Sequence, residues 1–115
     1  MIIKNADVYT QDNVFVKGDV VVDNGTFTKV LDIHNYVGDE VVDATGLKMI
    51  PGLVDIHFHG CNGYDFCDGT AKAYQAMADF ELEHGVTSMC PTTMTLPADT
   101  LTHICKEAAD FARRQ

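Results

Sequence analysis

The amino-acid sequence predicts an α/β protein in which a small antiparallel β-sandwich-like domain precedes the first part of a (β/α)8 barrel. Three observations lead to this prediction. No helix-period pattern of apolar residues occurs before residue 70. From Leu53 onward, the pattern changes to strand, loop, helix, strand and helix. The first of these strands is apolar on one face and ends with two histidines on the other, which suits a barrel strand whose end carries functional side chains.

The first domain, residues 1–50, is predicted to consist of short strands. Asn24-Gly25 predicts a tight hairpin, because this pair adopts the positive φ angles of a type I′ turn. His34 falls in a polar segment that we expect to be a surface turn. The segment Met49 to Gly52 is predicted to cross into the second domain. The predicted strands are Ile2 to Tyr9, Val14 to Val16, Asp19 to Val22, Thr26 to Leu31 and Val41 to Asp43.

The second domain, residues 51–115, is predicted to contain two strand–helix units. Thr70 can cap a helix over residues 71–84, and Gly85 can end it in a left-handed conformation. Residues 86–93 form the second strand, and Pro97 opens a second helix whose apolar stripe runs to Ala112. A (β/α)8 barrel needs about 200 residues or more. A chain of 115 residues therefore predicts a barrel that is incomplete within this sequence.

The end of the first barrel strand carries the strongest functional signal. Side chains alternate between the two faces of a strand, so His57 and His59 share one face, and Asp55 lies two residues deeper on it. Imidazole is the commonest side-chain metal ligand, and a gap of one residue lets two rings reach one ion. The pattern predicts His57 and His59 as metal ligands. Asp55 could hold one of them in place.

Other polar residues near this strand allow alternative interpretations. Cys61 and Cys67, together with the two histidines, would have the composition of a closed structural zinc site. No compact C-x2-C spacing supports that site, so the two-histidine site is favoured. Asp65 and Asp68 follow on the same loop and are expected to cap the next helix. His103 is expected to be a surface residue of the second helix.

Composition and charge exclude several classes of partner. The formal net charge is −9, from 8 basic and 17 acidic residues, which argues against nucleic acid or an anionic membrane as partner. No apolar run reaches the roughly 18 residues that would span a membrane, and the first residues lack a secretory-signal pattern. The four cysteines show no secreted-scaffold spacing, so we expect free thiols and a cytoplasmic location.

Three segments carry a resemblance to a known family. They are PGLVDIHFHG at residues 51–60, CNGYDFCDG at 61–69 and GVTSMCPTTMT at 85–95. The first resembles the opening barrel strand of the amidohydrolase superfamily, and all three together resemble the N-acetylglucosamine-6-phosphate deacetylases within it. The resemblance implies the N-terminal portion of a metal-dependent hydrolase of amino-sugar metabolism. It implies a small phosphorylated amino-sugar substrate, one or two divalent ions (zinc, iron, manganese or cobalt), and a homo-oligomer at full length.

The same resemblance limits which residues can be assigned. It matches His57 and His59 to the first two metal ligands, whereas the family's other ligands and its catalytic aspartate come from later strands. No catalytic acid or base is therefore named in this chain, which alone should be inactive. Cys61 and Asn62 depart from the family, since glycines are frequent there. The alternatives are another amidohydrolase, such as a dihydroorotase, hydantoinase or isoaspartyl dipeptidase relative, and a non-catalytic metal-binding module.

Overall fold

The computed structural model describes residues 1–31 and 40–115, which divide into two units, Met1–Pro51 and Gly52–Gln115. The described part of the first unit is a five-stranded sheet in the order β3-β2-β1-β4, with β5 also paired with β1. The predicted turn around His34 lies outside the described residues. The strands are β1 (Ile2–Tyr9), β2 (Phe15–Asp23), β3 (Thr26–Leu31), β4 (Val41–Asp43) and β5 (Lys48–Met49).

The expected antiparallel β-sandwich-like domain is wrong for the described part of the first unit, whose strands form one mixed sheet. β1 pairs antiparallel with β2, and β2 with β3, whereas β4 and β5 both pair in parallel with β1. Hairpin turns force the first three strands into antiparallel pairs. No hairpin joins β4 or β5 to β1, so their direction depends on tertiary packing that a local pattern does not encode.

The turn predicted between β2 and β3 is confirmed. Asn24 and Gly25 have φ angles of 49° and 74°, and the flanking Asp23 and Thr26 are paired. This is the geometry that a two-residue type I′ hairpin requires.

A bulge in β1 explains why the predicted break in β2 is absent. Gly18 pairs with Ala6, and the register shifts between Ile3 and Ala6, so β2 continues through the glycine as one strand. Asn5 lies in the bulge with a φ of 63°, and its backbone N donates to Asp19 Oδ1 at 2.9 Å. The irregularity therefore lies in β1, and the buried Asp19 carboxylate has a hydrogen-bond partner.

The second unit contains a parallel strand pair, a short hairpin and two helices. β6 and β9 pair in parallel, and β7 and β8 form an antiparallel hairpin around Asn62-Gly63. This hairpin lies where a loop is predicted, although Asn62-Gly63 is itself a hairpin signal. The elements are β6 (Leu53–Phe58), β7 (Gly60–Cys61), β8 (Tyr64–Asp65), a 3-10 helix (Phe66–Asp68), α1 (Ala71–Glu83), β9 (Val86–Pro91) and α2 (Ala98–Ala112).

The two helices form where capping and apolar spacing predict them. Thr70 caps α1 by accepting a hydrogen bond from the backbone N of Ala73, and Gly85 follows the helix with a φ of 86°. α1 buries Ala73 and Met77 as expected, but Leu82 stays 63% exposed. None of the helices in the described ranges is long and apolar enough to cross a membrane.

A small apolar cluster joins the helices to the segment after β6. Its buried members come from the 3-10 helix, α1 and α2, and the Tyr74 hydroxyl donates to the backbone O of Ile104 at 3.1 Å. This packing fixes the hairpin and the 3-10 helix against the helices, immediately after the two histidines. The buried residues are Phe66, Tyr74, Met77 and Ile104.

Candidate metal centre

The two histidines lie at the carboxyl end of β6, beside the end of β9. Phe58 pairs with Pro91, and the backbone N of Thr92 donates to Phe58 O at 2.7 Å, which extends the strand contact by one residue. The parallel pairing brings both strand ends to the same edge. His57 and His59 are therefore held beside Thr92 by backbone geometry.

The two imidazole rings lie next to one another. Their centroids are 5.1 Å apart and their planes are perpendicular. His57 is exposed and His59 is half-buried. This arrangement agrees with the predicted shared face, because both rings reach the same edge of the strand pair.

Thr92 contacts both histidine rings at their Nδ1 atoms. Its carbonyl O lies 2.9 Å from His59 Nδ1, and its Oγ1 lies 3.3 Å from His57 Nδ1. Neither Nε2 atom has a hydrogen-bond partner in the part of the chain that the structure describes. The two Nε2 atoms are thus the ring nitrogens left available to a ligand.

Asp55 supports the backbone rather than a ring. Its Oδ1 accepts a hydrogen bond from the backbone N of His57 at 2.9 Å, and its side chain is half-buried. This contact restrains the strand where the first histidine begins. That Asp55 holds a ligand in place stays a prediction, and its observed contact is with the main chain of His57.

The described residues supply two candidate ligands, which fit part of a metal site. Across residues 1–31 and 40–115, no group of three or more histidine, cysteine, aspartate or glutamate side chains could hold an ion. Two imidazoles with unpaired Nε2 atoms fill half of a four-coordinate shell. The donor set therefore fits a divalent ion only in part, since at least two further ligands would be needed.

The alternative zinc site with two histidines and two cysteines is wrong. Cys61 Sγ donates to the backbone O of Met77 at 3.9 Å, and Cys67 Sγ accepts from the backbone N of Met94 at 3.2 Å. Burial and the nearby Glu81 raise the pKa of the Cys61 thiol, which favours the protonated form over the thiolate that binds metals. The thiols point to other parts of the unit, because the Asn62-Gly63 hairpin turns the chain between them.

Asp65 and Asp68 have a capping role, but at the 3-10 helix and not at α1, the helix that the sequence predicts them to cap; Thr70 caps α1. Asp65 Oδ1 accepts from the backbone N of Cys67 at 2.7 Å, and Asp68 Oδ2 accepts from the backbone N of Asp65 at 3.0 Å. These reciprocal bonds form a capping box at the 3-10 helix. They fix the loop that follows the histidines.

The remaining histidines of the described residues lie outside the site. His84 Nδ1 lies 2.7 Å from the backbone O of Phe80 at the end of α1, and His103 is exposed on α2 beside Gly69. Thr92 is not among the partners predicted for the histidines. Its signal was its place at the end of the second predicted strand, but the register of a parallel pair cannot be derived from local sequence.

Comparisons with known proteins indicate what this arrangement resembles. No protein-family model matches the chain. An N-acetylglucosamine-6-phosphate deacetylase of Vibrio furnissii is 36% identical over 78 residues, covering 65% of this chain and 19% of the relative. An adenine deaminase of Oceanobacillus iheyensis is 35% identical over 92 residues, covering 76% of this chain and 14% of the relative.

A solved structure gives the corresponding match in three dimensions. The crystal structure of N-acetylglucosamine-6-phosphate deacetylase from Pasteurella multocida superposes on 99% of this chain, with a TM-score of 0.90 and 25% identity, and the match covers 31% of that chain. The chain thus spans less than a third of the relatives it matches. Sequence and structure together confirm that this chain is similar to a portion of N-acetylglucosamine-6-phosphate deacetylase, and its small share of each relative is consistent with the N-terminal portion.

Proposed function

We propose that this chain is the N-terminal part of a metal-dependent amide hydrolase that deacetylates N-acetylglucosamine 6-phosphate, yielding glucosamine 6-phosphate and acetate. One observation carries the proposal: the chain matches the structure of a deacetylase over 99% of its length. The two adjacent imidazoles with unpaired Nε2 atoms agree with it. In this proposal β6 and β9 are the first two strands of a (β/α)8 barrel, preceded by the domain of residues 1–50. The complete enzyme would be a cytoplasmic homo-oligomer.

His57 and His59 would hold the ion through their Nε2 atoms. Zinc, iron, manganese or cobalt would suit imidazole ligands, with one or two ions in a complete site. A divalent ion bound there would supply Lewis acidity toward the acetamide carbonyl. Residues outside this chain would complete the ligand shell and provide the general acid and base.

Residues of this chain would hold the two histidines and the adjoining loop in place during the reaction. Thr92 engages Nδ1 of both rings, Asp55 restrains the backbone of His57, and the Asn62-Gly63 hairpin with its capping box fixes the adjoining loop. Such support matters because a displacement of about 1 Å at a reacting centre can cost on the order of a hundredfold in rate.

The substrate's phosphate would lie away from the reacting amide. The net charge of −9 gives this chain no general attraction for a phosphorylated sugar, so the phosphate would be bound by groups elsewhere in the enzyme. Binding energy from that remote group could orient the acetamide against the metal. A phosphorylated substrate should therefore react much faster than the unphosphorylated sugar.

Acetate release by the full-length protein tests the proposal. We expect it with N-acetylglucosamine 6-phosphate, and far less with N-acetylglucosamine. Replacing both histidines with alanine should reduce turnover and metal content together. Turnover of a dihydropyrimidine ring or an isoaspartyl peptide, with none of the amino sugar, would contradict the assignment.

A second candidate function, adenine deamination, is favoured by one observation. The adenine deaminase relative is 35% identical over 76% of this chain, which is comparable with the identity and coverage of the deacetylase relatives. Ammonia release from adenine, assayed on the same preparation, would separate the two candidates. The structural match to a deacetylase over 99% of the chain is the reason for ranking deacetylation first.

A further inference from the structure

Thr92 contacts the end of β6 through three different atoms. Its backbone N donates to Phe58 O at 2.7 Å, its carbonyl O lies 2.9 Å from His59 Nδ1, and its Oγ1 lies 3.3 Å from His57 Nδ1. One residue at the end of β9 therefore contacts both the strand backbone and the two rings that follow it.

The contact with His59 determines which ring nitrogen carries the proton. A carbonyl oxygen can only accept a hydrogen bond, so the hydrogen must be on Nδ1 of His59. A neutral imidazole has one such hydrogen, which leaves the lone pair on Nε2. His59 is therefore held in the tautomer that can bind an ion through Nε2.

The contact with His57 has two possible directions. A threonine hydroxyl can accept or donate, and only the first direction leaves the lone pair of a neutral ring on Nε2. If the hydroxyl donates, Nε2 carries the hydrogen and cannot bind an ion. The orientation of the Thr92 hydroxyl thus decides whether both rings have a free lone pair on Nε2 for an ion.

We propose that Thr92 is a positioning residue that sets the tautomer of both histidines, through its carbonyl for His59 and its hydroxyl for His57. The inference rests on the proposed function, because it takes the two histidines as ligands of one site. Histidine ligands in metal sites usually donate their other ring N–H to an oxygen, which fixes both tautomer and ring orientation. Here one residue would provide that oxygen for two rings.

Three variants separate the effect of the Thr92 hydroxyl from that of the Thr92 carbonyl. Thr92→Val removes Oγ1 but keeps the branched shape and the backbone carbonyl, so it should affect His57 and leave His59 unchanged. Thr92→Ser restores the hydroxyl. Thr93→Val is the matched control, since the neighbouring hydroxyl has no hydrogen bond within the described ranges.

The measurement is long-range proton–nitrogen NMR of histidine-labelled, metal-free, full-length protein, about two pH units above the ordinary imidazole pKa. In the wild type, both rings should carry the hydrogen on Nδ1. Thr92→Val should shift His57 alone toward the Nε2–H tautomer, while Thr92→Ser and Thr93→Val should resemble the wild type. Zinc titration should show affinity about 10- to 100-fold weaker in Thr92→Val.

Two results would overturn the inference. One is a His57 in the wild-type protein that carries its hydrogen on Nε2. This result does not depend on whether any variant folds. The other is a folded Thr92→Val protein in which the His57 tautomer is unchanged. The NMR readout involves neither metal nor substrate, so it is independent of acetate release. The expected tautomers without deacetylation would overturn the proposed function and leave the role of Thr92 standing.

Discussion

At the scale of single residues, His57, His59, Cys61 and Cys67 lie close in sequence, but only the two histidine rings lie next to one another. The histidines face Thr92, whereas Cys61 bonds to α1 and Cys67 accepts from Met94. Imidazole nitrogens are available and the thiols are engaged elsewhere. Metal affinity in this segment should therefore depend on the histidines.

Replacing the two pairs separately tests this separation. On the 115-residue chain, changing His57 and His59 to alanine should abolish stoichiometric zinc uptake, while changing Cys61 and Cys67 to serine should preserve it. Two imidazoles fill half of a tetrahedral shell, so the unsubstituted 115-residue chain should bind zinc only weakly. Equilibrium dialysis against a fixed concentration of free zinc, with the bound zinc counted per chain, provides the measurement. Loss of zinc in the cysteine variant would instead restore the structural zinc interpretation.

Asp43 makes the stability of the first sheet depend on pH. Its carboxylate accepts hydrogen bonds from Asn5 Nδ2, Thr45 N and Thr45 Oγ1, and these contacts, led by Asn5, hold its pKa below the usual value of 3.8. A lowered folded-state pKa adds stability above the unfolded-state pKa. That stability is lost as the pH falls through the folded-state value.

Hydrogen exchange near β4 should report this dependence. The Ala44 amide bonds to Lys4 O, so its exchange, corrected for the intrinsic rate, should accelerate as the pH drops below about 4. Asp43→Asn should remove most of the dependence. Asp12→Asn, at an exposed carboxylate without a hydrogen bond in the described residues, is the control and should change little. An unaltered pH profile in Asp43→Asn would contradict the assignment.

At the scale of elements, the hairpin after the histidines depends on a close backbone approach at Gly60. A Cβ built on Gly60 would lie 2.2 Å from the backbone O of Tyr64 and 2.8 Å from Asp65 Cα. Gly63 differs, since it has a φ of 78° and nothing within 4 Å of a built Cβ. The first glycine is required for space and the second for conformation.

Alanine at these two positions should therefore have unequal effects. Gly60→Ala should separate β7 from β8 and lower the free energy of unfolding by about 3 kcal/mol, the upper range for overpacking. Gly63→Ala should keep the pairing and cost about 1–2 kcal/mol for a left-handed residue. Urea unfolding and the exchange protection of the hairpin amides measure both effects. A Gly60→Ala chain as stable as Gly63→Ala would disprove the steric explanation.

The elements also show which structural features local sequence encodes. The bounds of β1, β3 and β4, the Asn24-Gly25 turn and the Thr70 cap could be predicted, because propensity and capping act over a few residues. The parallel direction of β4 and β5 could not, because it depends on pairing with a strand distant in sequence. The partnership of Thr92 with the histidines escaped prediction for the same reason, although His57 and His59 themselves stood out by spacing.

At the scale of the whole molecule, the outward face of β6 is apolar and uncovered in the described residues. Val54 is 60% exposed and Ile56 is 78% exposed, whereas Phe58 on the same face packs against the helix cluster. β6 and β9 form a sheet of two strands, which leaves unpaired backbone groups along its edges. An exposed apolar face beside open edges favours association between chains.

Replacing Val54 and Ile56 with a polar residue should reduce aggregation of the 115-residue chain but destabilise the full-length protein. In the 115-residue chain, Val54→Thr with Ile56→Thr should reduce aggregation, because threonine keeps β propensity and removes exposed apolar surface. In a complete barrel this face would pack against helices. The double substitution should then cost about 1–3 kcal/mol of unfolding free energy in the full-length protein. Light scattering of the 115-residue chain and urea unfolding of the full-length protein give the two readouts.

A monomeric 115-residue wild type with a sharp unfolding transition, unchanged by the substitutions, would contradict the barrel proposal and favour an independent metal-binding module.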